Sequence, residues 1–282
     1  KNNLFLFLII YFFLKSVSFA DEFRFEASKI QIVKDENLIL ADKGKAISKD
    51  NDIEIEANKF EYNKEKNFLK AFDNGVALIK SNNLKIKFEI IEVDQKNSII
   101  QAKGNIKIYD EKKDLVIESE SITYDKKNNI INSETKSVLK DKSKNVFSTE
   151  SFQYEINKNI LKVKNANFTD NQDNNFYTPL AFINTDTNKL FGKDVKINLN
   201  NKSFNKDNDP RLKGNSITHE NDFTEITKGV FTTCKKTDKC PPWQLSAKKI
   251  QHDKKKKILN YEHAWLKLYD VPIMYFPKFF HP

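Results

Sequence analysis

Apolar and charged residues alternate along this chain, and the alternation slips at regular intervals. In residues 53 to 62, Ile53, Ile55 and Ala57 lie two apart, whereas the next apolar pair, Phe60 and Tyr62, begins after a step of three. Side chains in a strand alternate between faces, so a three-residue step reverses the facing unless an extra residue forms a β-bulge. The pattern therefore predicts a strand that keeps one apolar face through a bulge.

The same slipped pattern recurs about every 30 residues. Copies end at residues 32, 62, 93, 124 and 154, and a later copy runs from Trp243 to His252. The first five contain Phe23, Phe25, Ala27, Ile30 and Ile32; Ile53, Ile55, Ala57, Phe60 and Tyr62; Leu84, Ile86, Phe88, Ile91 and Val93; Leu115, Ile117, Ser119, Ile122 and Tyr124; and Phe147, Thr149, Phe152 and Tyr154. Between about residues 170 and 242 the pattern cannot be placed.

Each copy is followed by a polar stretch and, in the clearest case, by a second alternating run. The stretches "NKEKN" (63–67), "DQKNS" (94–98) and "DKKNN" (125–129) contain Asp, Asn and Lys, which is typical of chain reversals. The returning run alternates strictly at residues 100, 102, 104, 106 and 108. No apolar stripe of helical period persists beyond the N-terminus. The sequence predicts an all-β, antiparallel sheet built from hairpins of about 30 residues, with almost no helix.

The composition is compatible with a sheet that has one wet face. The chain is 39% hydrophobic and 31% charged, with a mean hydropathy of −0.64, which suits an antiparallel sheet with a single apolar face. The net charge of +9 raises the question of a nucleic-acid partner. Lysines are spread along alternating positions without an arginine cluster, so a general compositional bias is favoured and no nucleic-acid partner is expected.

The first twenty residues have the features of a secretory signal peptide. A cationic start precedes the apolar run from Leu4 to Leu14, and the small residues Ser18 and Ala20 precede Asp21. The run is shorter than the roughly 20 apolar residues that span a bilayer. Export to an oxidising compartment makes Cys234 and Cys240 disulfide candidates, either with each other or with a segment outside this sequence.

The sequence contains no recognisable catalytic constellation. Its four histidines are scattered, zinc-finger spacing is lacking, and six glycines leave no room for a glycine-rich phosphate loop. We therefore expect a protein that is not an enzyme and that holds neither a cofactor nor a metal.

Residues 231 to 282 resemble a known family. A cysteine pair, "PPWQLSA", "IQHD" and "VPIMYFPKFFHP" follow one another as in the LptD family of lipopolysaccharide-assembly proteins, also called organic solvent tolerance proteins. Residues 23 to 170 are similar to the OstA repeats that this family shares with the periplasmic bridge protein LptA. The resemblance implies a signal peptide at 1–20, an open OstA/LptA-like β-jellyroll at 21–268, and a junction at 269–282 to an outer-membrane β-barrel that is missing from this chain.

The resemblance also implies a function. The domain would receive lipopolysaccharide from the periplasmic bridge and guide its acyl chains to the barrel for insertion in the outer leaflet, in the periplasm and attached to the outer membrane. Its partners would be lipopolysaccharide, LptA through an N-terminal edge strand near Phe23 to Ile32, and the lipoprotein LptE through the missing barrel. The residues implied to line the lipid groove are Ile55, Phe60, Tyr62, Ile86, Phe88, Ile91, Val93, Ile106, Ile117, Ile122, Tyr124, Phe152 and Tyr154.

Other interpretations remain open at this point. No cysteine precedes Cys234, so a disulfide between the domain's N-terminus and the barrel is not matched here. The groove candidates could equally fill a closed core, because both roles require large apolar side chains. A secreted β-solenoid adhesin or binding module also has repeats of this length, although hairpin turns count against it. A basic periplasmic module that binds anionic polymers is a further alternative.

Overall fold

The computed structural model describes residues 23–33, 37–141, 145–169, 173–200, 208–237, 241–253, 255–256 and 258–281. The predicted signal peptide at 1–20 lies outside these ranges. The described residues form nineteen strands and two 3-10 turns, Lys80–Asn82 and Ile156–Lys158. None of the described residues belongs to a helix long and apolar enough to cross a membrane.

The strands follow one another along the chain with short turns between most of them. They are β1 Phe23–Val33, β2 Leu38–Ser48, β3 Ile53–Asn63, β4 Phe68–Ile79, β5 Leu84–Asp94, β6 Ile99–Asp110, β7 Leu115–Asp125, β8 Ile130–Ser133, β9 Ser137–Lys140, β10 Val146–Thr149, β11 Ser151–Glu155, β12 Ile160–Thr169, β13 Asn175–Asn184, β14 Leu190–Asn198, β15 Arg211–Glu220, β16 Phe223–Thr232, β17 Trp243–Asp253, β18 Ile258–Leu268 and β19 Val271–His281.

These strands make one antiparallel sheet in which sequence neighbours pair. The short strands β8 and β9 together occupy one place beside β7, and β10 and β11 together occupy the next place before β12. Within the described residues β1 pairs only with β2, and β19 only with β18, so the sheet is open at both ends. The all-β, antiparallel prediction is confirmed, and the parallel pairing of a β-solenoid is not found among these strands.

The slip in the sequence corresponds to a bend in the middle of the strands. Between β3 and β4 the pairing passes from Ala57 with Gly75 to Lys59 with Phe72, so β4 has one extra residue opposite Asn58. Comparable register shifts recur in the next three pairings. The predicted bulge is therefore present, but its extra residue lies on the returning strand and not on the strand whose pattern slips.

The returning strands contain residues in the left-handed region at these bends. Asn74 has φ 66°, Asn105 φ 45° and Asn165 φ 50°. Asparagine enters this region more readily than most residues because its short polar side chain can hydrogen-bond locally. At two bends the amide also contacts the facing strand: the Nδ2 atoms of Asn105 and Asn165 each donate to a glutamate, Glu89 and Glu150, over 2.5 Å.

Aligned bends divide the sheet into two leaves. Leaf A includes residues 53–57 of β3 and 75–79 of β4, and leaf B includes residues 59–63 and 68–72 of the same strands. The apolar faces of both leaves enclose one contiguous core from β1 to β13, and a smaller core follows from β14 to β18. The sheet also continues past residue 268 into β19, which occupies most of the predicted junction segment.

Turns at the end of leaf B are stacked by backbone hydrogen bonds. One residue in each turn has a left-handed φ, and its carbonyl accepts an N–H from the next turn along the sheet. The bonds run from Gln95 to Asn67 (3.1 Å), Lys126 to Ser98 (2.9 Å), Ile156 to Asn129 (3.0 Å) and Thr185 to Asn159 (2.9 Å). The Asn-rich stretches of the sequence therefore set the repeat of about 30 residues.

Candidate functional site

The space between the two leaves is the candidate functional site. All thirteen residues named from the sequence as groove candidates lie in it, no more than 3% exposed, within a single core. They face one interior because the bends correct the three-residue slip. In this structure they pack against one another, and their contact with lipid stays a prediction.

Polar contacts join the far ends of the leaves, opposite the bends; we call this line of contacts the seam. The Lys126 ammonium, in a leaf B turn, lies 2.8 Å from the Asp52 carboxylate and 3.3 Å from that of Asp50, both in a leaf A turn. Further along, Lys113 of leaf A forms an ion pair with Asp186 of leaf B. These residues lie more than 70 positions apart in the chain, so the seam depends on the fold of the whole sheet.

The charges of Lys126 and Asp52 in the seam are held in their ionised forms. Burial by itself would raise the pKa of Asp52, but hydrogen bonds from Lys126 and from the Ser81 N–H (2.7 Å) outweigh it and lower the pKa. Burial would lower the pKa of Lys126, yet its interactions with Asp52 and Asp50 raise it. Lys126 and Asp52 are therefore an ion pair at neutral pH.

Two tyrosines contribute neutral contacts to the same seam. The Tyr124 hydroxyl accepts a hydrogen bond from Asn82 Nδ2 (2.7 Å) and donates to Asn129 Oδ1 (2.8 Å). The Tyr154 hydroxyl donates to the buried carboxylate of Asp110 (2.6 Å). Burial raises the pKa of Tyr124 to about 12 and, together with the bond to Asp110, raises the pKa of Tyr154 as well. Both hydroxyls therefore stay protonated under physiological conditions.

Both ends of the interior expose apolar side chains. At the N-terminal mouth, Ile30 and Ile32 face inward opposite Ala41 and Ile39, yet they are 47% and 57% exposed. Their exposure arises because no further strand follows β1 in the described sheet.

At the C-terminal mouth, Met274 and Phe279 face inward on β19 and are exposed as well. Phe279 packs at 5.5 Å from the ring of the buried Tyr261, so the apolar interior reaches the last strand.

The interior also includes residues that the sequence pattern missed, in β13 to β16. Thr178, Gly192, Gly214, Thr224 and Gly229 occupy inward positions but contribute no large apolar side chain there. Side chains of the next strand fill the space above the glycines: a Cβ on Gly214 would lie 2.2 Å from Ile226 Cγ2. The three-residue steps from Thr178 to Ala181 and from Gly214 to Ile217 were the available signal, but they lack hydrophobic contrast.

A group of hydroxyls lies where β7 to β9 bend. Ser119 Oγ is 3.0 Å from Ser133 Oγ and 3.1 Å from Thr135 Oγ1, and Ser137 donates to Ser119 over 3.0 Å. Because these groups satisfy one another, they can be buried beside the apolar core without an orphaned donor.

Cys234 lies near the start of β17. Cys234 is half-buried on the segment after β16, and its Sγ donates to the Trp243 carbonyl over 3.6 Å. Cys240 lies outside the described residues. The disulfide therefore stays a prediction.

Comparison with solved structures gives a likeness of fold, whereas comparison of sequences gives none. No family model matches the chain, and no curated protein matches it. Among solved structures, it is similar to LptH from Pseudomonas aeruginosa, described as the LptA-homologous periplasmic component of the lipopolysaccharide transport device. The two share 15% identity over 39% of this chain and 80% of LptH, with a TM-score of 0.35.

Proposed function

We propose that this chain is the periplasmic part of a lipopolysaccharide-assembly protein of the LptD type, and that it acts by binding and guiding lipid without catalysis. The observation that carries the proposal is the apolar interior, which extends from β1 to β19 and exposes apolar side chains at both mouths. The LptD-like motifs of residues 231 to 282 support the outer membrane as the destination, with the periplasm as the location.

Exposed apolar mouths favour a protein that operates in series with others. A repeat structure that functions alone needs polar caps at its ends, since uncapped repeats expose their core. Here Ile32 at one end and Met274 at the other leave apolar surface in water, which marks interaction sites. LptA at the β1 end, and the barrel with LptE beyond the β19 end, are the proposed neighbours.

Acyl chains suit this interior because the side chains that line it are mostly apolar. Each methylene group moved from water into such an environment contributes about 0.8 kcal/mol. The leaves are continuous at the bends but meet only through side chains at the seam, so lipid entry separates the seam while the bends act as hinges. Lys126 and Lys113 at the seam would then face the lipid's phosphate groups.

The N-terminal mouth allows a test with a matched control on the same strand. Ile32 faces inward in register with Ile39, whereas the next residue, Val33, faces outward and is also exposed. A photoreactive amino acid is placed at each position in the full chain, and crosslinking to lipopolysaccharide is measured. We expect labelling from residue 32 and little from residue 33.

Charge substitutions at the same positions extend the test. Ile32→Asp puts a carboxylate in the path of the acyl chains and should lower lipopolysaccharide binding at least tenfold, with little change in melting temperature because the site is already solvated. Val33→Asp should bind as the unmodified chain does. Equal labelling at both positions, or normal lipid binding by the Ile32→Asp variant, would refute the conduit.

A further inference from the structure

The outer face of β13 to β17 carries a cleft of about 580 Å³ that is separate from the interior. Its floor is an outward-facing row of four residues on adjacent strands: Tyr177, Lys196, Lys213 and Val230. Lys236, on the segment that follows β16, also lines the cleft. A volume of this size lies within the usual range of small-molecule sites, roughly 300–1,000 Å³.

The cleft is strongly cationic. Lys196, Arg211, Lys213 and Lys236 line it, and no carboxylate is among its described lining residues. A neighbouring cleft on the same face, of about 830 Å³, has a lining of mixed charge, with Lys107 and Lys136 beside Glu118, Glu120 and Glu150. The excess positive charge therefore belongs to this cleft and not to the outer face in general, and a cleft lined by one sign of charge concentrates counter-ions.

The two lysines in the middle of this row face each other on adjacent strands, which is unfavourable in a sheet. Lys196 lies directly opposite Lys213 in the β14–β15 register, and like charges in that arrangement destabilise a sheet. Elsewhere on the outer face, Lys107 also lies opposite a lysine, Lys87, but its neighbour on the other side is Glu118, with which it forms an ion pair at 2.8 Å. The Lys196 ammonium lies 5.5 Å from the centre of the Tyr177 ring, which offsets only part of the repulsion. A repulsive pair kept in a cleft indicates a site for an anion.

Other groups in the cleft suit a sugar bearing that anion. Arg211 is oriented by hydrogen bonds from its guanidinium to the backbone carbonyls of Asp209 (3.1 Å) and Cys234. The Asn198 amide lies beside it in the register, and the Tyr177 ring offers a flat face. Cationic donors bind phosphate through charge-assisted hydrogen bonds, and an amide can bond sugar hydroxyls.

We propose that this outer cleft binds a phosphorylated sugar. The cationic side chains of the site lie on the opposite face from the lipid path: Lys196 and Lys213 face outward, whereas Ile197 and Leu212, which also border the cleft, are buried and face the interior. The ligand is either a soluble sugar phosphate or the phosphorylated sugar headgroup of a glycolipid, since both present the same chemistry.

Calorimetric titration of the full chain with glucose 1-phosphate, glucose and inorganic phosphate tests this proposal. The cleft variant is Lys196→Gln with Lys213→Gln, and the matched control is Lys66→Gln with Lys103→Gln, which removes the same charge from exposed positions outside the cleft. We expect saturable binding of glucose 1-phosphate at low ionic strength, weakened at least tenfold in the cleft variant and less than twofold in the control. Glucose should not bind, and inorganic phosphate should bind more weakly than glucose 1-phosphate.

Thermal melting supplies a second measurement, in which the cleft variant should not lose stability although it loses anion binding. Because the cleft variant loses a like-charge pair, its melting temperature should equal or exceed that of the unmodified chain while its anion binding falls. Equal loss of binding in the cleft and control variants would overturn the proposal, because binding would then depend on the overall positive charge of the chain and not on the cleft. Inorganic phosphate binding as tightly as glucose 1-phosphate would overturn the sugar assignment, and a short single-stranded oligonucleotide that binds the cleft more tightly would replace it by a nucleic-acid site.

Deacylated lipopolysaccharide, which keeps phosphorylated sugars and lacks acyl chains, distinguishes the two sources. Competition with glucose 1-phosphate identifies the glycolipid headgroup, whereas binding of glucose 1-phosphate alone identifies a soluble ligand. Binding of neither compound refutes the site. The Ile32→Asp variant should bind glucose 1-phosphate normally, so failure of this proposal and failure of the lipid conduit give different results.

Discussion

At the scale of single residues, the seam depends on side chains that join turns far apart in sequence. Lys126 contacts both Asp50 and Asp52, so its loss would leave two carboxylates close together without a counter-charge. Since the interaction is a partly buried, charge-assisted one, Lys126→Gln should lower the free energy of unfolding at pH 7 by about 1–2 kcal/mol. Urea denaturation measures this change, and Lys127→Gln, in the same turn but fully exposed, should change it by less than about 0.5 kcal/mol.

The pH dependence of this difference follows from Asp52. Its pKa is lowered in the folded chain, so its contribution is present above the unfolded value, near 4, and is lost as the pH falls through the folded value. The difference between the unmodified chain and the Lys126→Gln variant should therefore narrow below about pH 4. A difference that stays constant down to pH 2 would show that Lys126 acts through packing and not through the ion pair.

At the scale of elements, the bend requires close approach of neighbouring strands. Gly75 lies at the bend of β4, where an added Cβ would come within 2.5 Å of both the Glu56 carbonyl oxygen and the Phe88 ring. Gly75→Ala should therefore cost about 1–3 kcal/mol through overpacking. The outward-facing Val76→Ala should cost under about 1 kcal/mol, and adding Phe88→Leu to Gly75→Ala should recover part of the loss. If Gly75→Ala left the free energy of unfolding unchanged, the bend would have space for the added methyl group.

The bends also explain which parts of the fold could be predicted from sequence. In β3 and β5 the inward residues are apolar and most of the outward ones are charged, so hydropathy shows both the alternation and the slip. In β13 to β16 the inward positions include Thr178, Gly192 and Gly214, which are not apolar enough to mark the inward face in the sequence. The bend is therefore present in β13 to β16, although the hydropathy pattern of these strands does not reveal it.

The two sites differ in the same way. The buried candidates such as Ile55 and Tyr124 could be named in advance because burial follows alternation. The outer cleft could not, because Lys196 and Lys213 become neighbours only through the register of β14 and β15, and lysines at alternating positions are common throughout the chain. The contacts at the seam could not be predicted from the sequence either, because they join side chains of turns that are far apart in the chain.

At the scale of the whole molecule, a sheet of sequential hairpins has two edge strands, and each edge presents unpaired backbone groups that another strand can join. In the described sheet β1 is one of them, so a periplasmic jellyroll partner of the LptA type should add a strand to β1 and continue the apolar interior. Two outward-facing positions distinguish strand addition at the β1 edge from docking on the outer face of the sheet. Gln31 on β1 and Glu61 on β3 lie at the same level of the sheet, because both pair with Leu40 of β2.

A photoreactive residue at Gln31 should capture the partner, whereas one at Glu61 should not, because both sides of β3 are already paired. Crosslinking in the periplasm followed by mass spectrometry measures the two yields. A partner captured equally from both positions would dock on the outer face of the sheet, and a partner captured only from Glu61 would exclude β1 as the docking edge. Capture from Gln31 alone, together with lipid labelling at Ile32, would place protein contact at the free edge of β1 and lipid on its inner face, as expected for a strand that continues a conduit from one protein into the next.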